Sequence, residues 1–382
     1  MFKEFAYQAQ QRLQSATSVR FSRAHLYEWV SAGFGFGSYA AFSVDHLLVR
    51  RQPGIANAPV SRAQMEARGQ ALGSSPLLSA QAARLLEAML IEREVTVVNI
   101  SFVLDELRSQ DGEWYAGDWH DDPEDDVDDE FEGDNVDDAD EAPWIEDFDE
   151  PSLLSSLREA AERGSPKAHY ALALILESSE DDDSQASRYW YDQQQRGQVL
   201  EGAAQEWASA YKARLDREHA LAFHLKEAAR LGSSEAQLEL AERFGDPLFF
   251  ESGAMTVDWR PKAVAVIAEQ LGRVEDARKW LRIAAEEGGT EAMRELIESH
   301  DQHDLLRCWT WVHLSRLLHH DLTQDRYYAI NPDGSEYDFD VGGPAEVAGE
   351  GGVVLRRLSA VEDEQAQDAA ERLFRKIEAA RR

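Results

Sequence analysis

Few side chains in this 382-residue sequence have the types and spacing that chemistry needs. Cys308 is the single cysteine and sits among Leu305, Leu306, Trp309 and Val312, the setting of a buried structural thiol rather than a nucleophile. His300, His303, His313, His319 and His320 crowd one region. They belong to one or two helices without a paired carboxylate face, so solvated or capping roles are expected of them. Asp128, Glu130, Glu132 and Gly133 match positions one, three, five and six of a calcium loop. Position twelve, where a bidentate Glu is required, is Ala139. Gly33-Phe34-Gly35-Phe36-Gly37 could cradle a phosphate, but a helical pattern precedes it where the dinucleotide fingerprint needs a strand. There is no nucleophile elbow, no metal-spaced Cys and His set and no phosphate loop. No catalytic residue, cofactor or metal is therefore expected, and the chain reads as a non-enzyme.

The elements that carry these residues are organised around a repeat. Ala277 to Gly288 has the form A-x-x-W-x-x-x-A-A-x-x-G, with Trp280, Ala284 and Ala285 at its key positions. Imperfect copies end in Ala160-Ala161 with Gly164 and in Ala228-Ala229 with Gly232. A degraded copy ends at Gly197, with Gln193-Gln194 in place of the alanine pair. The aromatic and the alanines fall on neighbouring turns of one helix face, and alanine lets a second helix approach closely. The glycine ends the helix by taking φ > 0. After it come a new start and an apolar stripe, beginning at Ala168, Ala236 and Ala292. Glycines 164, 197 and 232 are separated by 33 and 35 residues by subtraction, the period of stacked helical hairpins. The longer stretch from Gly232 to Gly288 reads as one unit plus an insertion containing Gly245-Asp246-Pro247 and Trp259-Arg260-Pro261.

This pattern resembles the Sel-like repeat family, a relative of the tetratricopeptide repeat, over residues 151–320. The resemblance implies an α-solenoid that acts as a protein-interaction scaffold rather than a catalyst. Near the N-terminus, His25-Leu26 and Glu28 followed by Phe34-Gly35-Phe36 and Ser38-Tyr39-Ala40-Ala41 resemble a helical motif that opens many bacterial proteins.

Charge narrows the partners. Lys and Arg number 39 against 73 Asp and Glu, a net charge of −34. Such a balance opposes binding to nucleic acid or to anionic membrane. One cysteine excludes an internal disulfide framework, and no apolar run is long enough to span a membrane. The N-terminus lacks the apolar core of a signal peptide, so a cytoplasmic home is expected.

Four regions follow. Residues 1–112 are expected to be a small helical domain. Within it, Leu26, Trp29, Val30, Phe34, Phe36, Tyr39 and Phe42 would form a core, and a second helix would run from Ser38 to Leu48. That second helix is also the candidate recognition helix of a helix-turn-helix unit, although it offers no Arg or Lys before Arg50. Val95 to Leu104 fits a strand or a helix. Residues 113–150 are expected to be an acidic disordered linker, because 19 Asp and Glu without Lys or Arg fall between 118 and 150. Trp144 and Phe148 in it are candidate partner-binding anchors. Residues 151–325 would form the solenoid. Residues 326–382 would hold an irregular or hairpin insertion, with Tyr337–Val341 pairing Gly351–Leu355, and a capping helix from Ser359. The expected fold class is thus all-α, and the expected function is an adaptor that binds a protein on its concave face, with a basic partner the one its charge suits. An immunity protein or chaperone for a cognate effector is a special case. A nucleic-acid-linked regulator is the alternative.

Overall fold

Serine caps and apolar spacing set many of the helix starts in this computed structural model, which describes residues 2–51, 58–110, 151–177, 185–253, 257, 260–331 and 346–381. The fold is all-α. Among the described residues there are seventeen α-helices and two small antiparallel sheets. They divide into two compact units, Met1–Gln237 and Leu238–Arg382. The acidic stretch 118–150, with the calcium-loop pattern and Trp144 and Phe148, lies outside the described residues.

The first unit opens with α1 (Phe2–Thr17), α2 (Arg23–Gly33) and α3 (Tyr39–Asp45). Phe2, Phe5, Ala9 and Leu13 bury one face of α1 against Leu26, Trp29, Val30 and Phe42, with Phe34, Phe36 and Tyr39 packed around them. Ser22 and Ser38 cap α2 and α3, each accepting a hydrogen bond from a backbone N–H three residues on. The helix expected to reach Leu48 stops at Asp45. His46–Arg50 is instead β1, paired antiparallel with β2 (Val95–Asn99), His46 opposite Asn99 and Arg50 opposite Val95. The β-branched run Val95–Val98 supplies the partner, and strand pairing at that sequence distance overrides the local helical pattern. Between the strands lie α4 (Arg62–Ala71) and α5 (Pro76–Glu92). Gly69 brings α4 against α2, since a Cβ there would stand 2.5 Å from Cζ2 of Trp29. The ambiguity over Val95–Leu104 resolves into both answers. The chain is strand to Asn99 and then α6 (Ile100–Gln110).

The repeat region of this unit holds α7 (Pro151–Glu162), α8 (Pro166–Glu177), α9 (Gln185–Gln195) and α10 (Ala203–Arg230). α7 lies on β1, where the Ser156 hydroxyl donates to the Leu48 carbonyl at 2.6 Å and Ser152 Oγ accepts from the Arg50 N–H at 2.9 Å. The outer edge of a two-stranded sheet is thereby satisfied by helix side chains. α7 packs on α8, and α8 and α9 pack on α10, the local pattern of a helical solenoid. α10 is one continuous helix of 28 residues. No Gly or Pro falls between Ala203 and Arg230 to break it. The division between the two units falls inside α11 (Ser234–Phe244).

In the second unit α12 (Leu248–Ser252), α13 (Pro261–Gln270), α14 (Val274–Glu286) and α15 (Thr290–Glu295) lead into a π-helical turn, Leu296–His300. Then come α16 (Leu305–Leu317), the hairpin of β3 (Arg326–Ile330) with β4 (Glu346–Glu350), and α17 (Ala360–Ala380). The hairpin is displaced from its expected strands. β3 and β4 use Tyr327, Tyr328 and Val347, while Gly351–Leu355 has no strand structure and Tyr337–Val341 lies outside the described residues. α17 covers α16, held at its start by a capping box between Ser359 and Glu362. Phe249, Val264, Trp280, Leu281, Leu296, Val312 and Ile377 share the core of this unit.

Candidate functional site

The sequence-predicted repeat residues are brought into one recurring arrangement. Ala160, Ala161, Ala168, Ala228, Ala229, Ala236, Ala277, Trp280, Ala284, Ala285 and Ala292 are all buried. Gly164, Gly197, Gly232 and Gly288 have φ of +87°, +89°, +97° and +105°. After each, two N–H groups turn back to the helix end. The Gly232 N–H donates to the Ala229 carbonyl and the Ser233 N–H to the Ala228 carbonyl, both at 3.0 Å. Gly197 makes the same pair of bonds to Gln194 and Gln193, so the degraded copy keeps the geometry without the alanines. Gly272, which the spacing did not single out, repeats it between α13 and α14. These residues build the scaffold and leave little of themselves to a ligand.

What the scaffold leaves uncovered lies on α9 and α10. From residue 209 to 224 no position of α10 is fully buried. Tyr189 and Trp207 are 55% and 44% exposed, and Phe223 is 56% exposed. Trp190, Tyr191 and Tyr211 are half-buried; the Trp190 ring meets Tyr189 at 5.1 Å, while Phe223 lies further along α10 against His169 and His224. The Tyr191 and Tyr211 rings meet at 5.2 Å and join the two helices, and the Arg214 guanidinium stands 4.8 Å over the Tyr211 ring. The result is an aromatic face rimmed by a cation. α10 carries five Lys and Arg against four Asp and Glu, so this helix is near neutral in a chain of charge −34.

One end of α10 is fixed by an imidazole pair. His169 Nδ1 of α8 and His224 Nδ1 lie 2.9 Å apart. One must donate and the other accept, so the two cannot both be protonated. Burial pulls His224 down to about 4, with His169 and Arg158 acting in the same direction. Burial also lowers His169, against opposing pulls from Glu227 and the Ala161 backbone.

The other chemically capable groups are placed elsewhere. Cys308 is buried, its Sγ donates to the Asp301 carbonyl at 3.1 Å, and burial raises the thiol to about 11. Asp301 itself is a buried carboxylate that sequence reasoning missed. Its Oδ1 accepts from Arg278 at 2.7 Å and from Arg282 at 3.0 Å, and Arg307 stands 3.7 Å away. Burial alone would raise its pKa, but hydrogen bonds from Arg278, Arg282 and Trp311 reverse this and leave it lowered. Of the five C-terminal histidines, His313 contacts Asp363 at 2.9 Å and His320 contacts Arg326 at 2.8 Å. His300 ends the π-helical turn, its Nε2 3.4 Å from the Glu269 carboxylate of α13. The glycine stretch 33–37 ends α2 and starts no phosphate-binding helix, since α3 has only seven residues. No helix among the described residues is long and apolar enough to cross a membrane. No family model, curated protein or solved structure matches this chain.

Proposed function

We propose that this chain is a protein-interaction scaffold that holds its partner on the α9–α10 aromatic face. The observation that carries the reading is a 28-residue helix with no fully buried position from 209 to 224, on which Trp207, Tyr211 and Arg214 share one side. Trp, Tyr and Arg are the residue types on which protein interfaces concentrate their binding energy. Exposed aromatics on neighbouring helical turns are costly in water unless something covers them. The repeat architecture supports the same reading, because hairpins that contact only their neighbours leave extended surfaces free. The charge of −34 adds long-range steering toward a basic partner, while the near-neutral aromatic face holds it at short range. A basic effector neutralised or chaperoned in the cytoplasm is the form of partner that this charge fits.

The test is comparative. The partner is recovered on immobilised wild-type chain, identified by mass spectrometry, and titrated against wild type and the Trp207→Ala variant. The proposal expects at least a tenfold loss of affinity, about 1.4 kcal/mol, with an unchanged thermal melt. Equal affinity in the two proteins would remove this face from the interface.

A further inference from the structure

Three side chains from separate stretches of the second unit converge on one point. Glu269 lies near the end of α13, Glu295 ends α15, and His300 ends the π-helical turn. Their ligand-type atoms, one per residue, all lie within 4.8 Å of one another. The π-helical turn is what makes this possible. In an α-helix, residues five apart are rotated by about 140° and face different sides. A turn closed by i→i+5 hydrogen bonds brings residue i+5 back over residue i, and such turns concentrate at functional sites. The Asp301 N–H to Leu296 carbonyl bond is of this type. Thus Glu295 and His300 point into the same space, and Glu269 meets them there from α13.

The His300 side chain is only 8% exposed, and its Nε2 is buried with no hydrogen-bond partner. That nitrogen stands 3.4 Å from Oε1 of Glu269, beyond ordinary hydrogen-bond length. Glu269 and Glu295 thus hold a carboxylate oxygen each within 4.8 Å of the other and of the unpartnered imidazole nitrogen. Two carboxylates held together need a shared proton or a cation. Other charges nearby are already engaged. Lys262 pairs with Glu291, and Glu298 pairs with Arg294 at 3.1 Å.

We propose that Glu269, Glu295 and His300 form a binding site for a single divalent first-row transition ion of the Zn2+ type. One imidazole nitrogen and two carboxylates suit such an ion better than Ca2+ or Mg2+, which take oxygen ligands. Ligand atoms around a tetrahedral Zn2+ stand roughly 3.3 Å apart, given metal–ligand distances of about 2.0–2.1 Å. The His300–Glu269 separation already matches, and rotation of the Glu295 side chain closes the rest. Glu269 is exposed, which gives the ion an entry path and leaves a coordination position facing solvent. The sequence could not disclose this set, because Glu269 is 31 residues from His300 by subtraction and an α-helical projection separates His300 from Glu295.

The full chain, stripped of metal, is titrated with Co2+ and followed through its visible d–d absorption, with Zn2+ added as competitor. The expected result is intense bands that saturate at one equivalent and vanish with Zn2+. Glu295→Gln and His300→Ala should each weaken binding at least tenfold, and so should Glu269→Gln, whose exposed position lets the variant fold if the other two do not. The bands should persist in His224→Ala, which removes the competing imidazole pair, and in a chain lacking residues 121–141, which removes the acidic tract. Absence of bands in the wild-type chain would overturn the proposal. So would a loss under tenfold in every folded site variant, or loss of the bands in either control.

Discussion

At the scale of single residues, local signals were readable and convergent ones were not. Gly232 announced itself because a glycine three positions after an alanine pair marks a helix end by its own chemistry, and its φ of +97° bears this out. No atom lies within 4 Å of a Cβ built there, so substitution should cost backbone strain alone. Gly232→Val is expected to destabilise by about 1–3 kcal/mol, read as a fall in the thermal midpoint. Asp301 gave no such signal. It is one acid among 73, and its arginines arrive from α14 and α16 only once these pack. Removing it leaves Arg278 and Arg282 without their common acceptor. Asp301→Ala should cost about 3 kcal/mol, the lower end for a broken buried pair because the guanidiniums can reach water. A urea midpoint within error of wild type would show that the cluster contributes nothing net. His300 was noticed as one histidine of five and set aside, because the carboxylates that face it belong to positions that α-helical spacing does not align with it.

At the scale of elements, helices with strong caps were legible and non-local pairings were not. Ser22, Ser38, Ser61, Asp304 and Ser359 each cap the helix that follows, as small oxygen-bearing residues ahead of an apolar stripe should. β1 was missed because Leu47, Leu48 and Val49 continue a plausible helix until Val95–Val98 offers a ladder. The length of α10 was missed for the opposite reason. A 35-residue period implies two helices, but the sequence from 203 to 230 lacks any residue that would separate them. The junction of α8 with α10 through His169 and His224 carries a pH prediction. Both imidazoles lie below their ordinary value of 6.5 in the folded chain, His224 at about 4. Above 6.5 folded and unfolded chains are both neutral at these sites and nothing changes. Between 6.5 and about 4 the unfolded chain binds more protons, so stability falls as pH falls. After discounting for partial solvent access the loss is expected to be about 1–2 kcal/mol. Urea titrations of wild type and His224→Gln from pH 7.5 to 4.5 should diverge at neutral pH and converge toward acid; parallel curves would assign the acid sensitivity to other groups.

At the scale of the whole molecule, the all-α class was legible from the period of small residues, and the scaffold reading follows from what the fold leaves exposed. The sequence pointed to Trp144 and Phe148 as anchors, which lie outside the described residues. It did not single out Trp207, Tyr211 or Phe223, because an aromatic at helical spacing looks the same whether it is buried or bare. Only the neighbours decide, and on α10 between 209 and 224 they leave every position at least partly open. A binding face of this kind has a direct physical signature, since amides on a helix covered by a partner open and exchange less often. The decisive measurement is hydrogen–deuterium exchange of the chain alone and saturated with its captured partner. Slowed exchange concentrated in peptides from α9 and the 209–224 stretch of α10 is the predicted result; protection confined to other elements, with α10 unchanged, would contradict the assignment of this face.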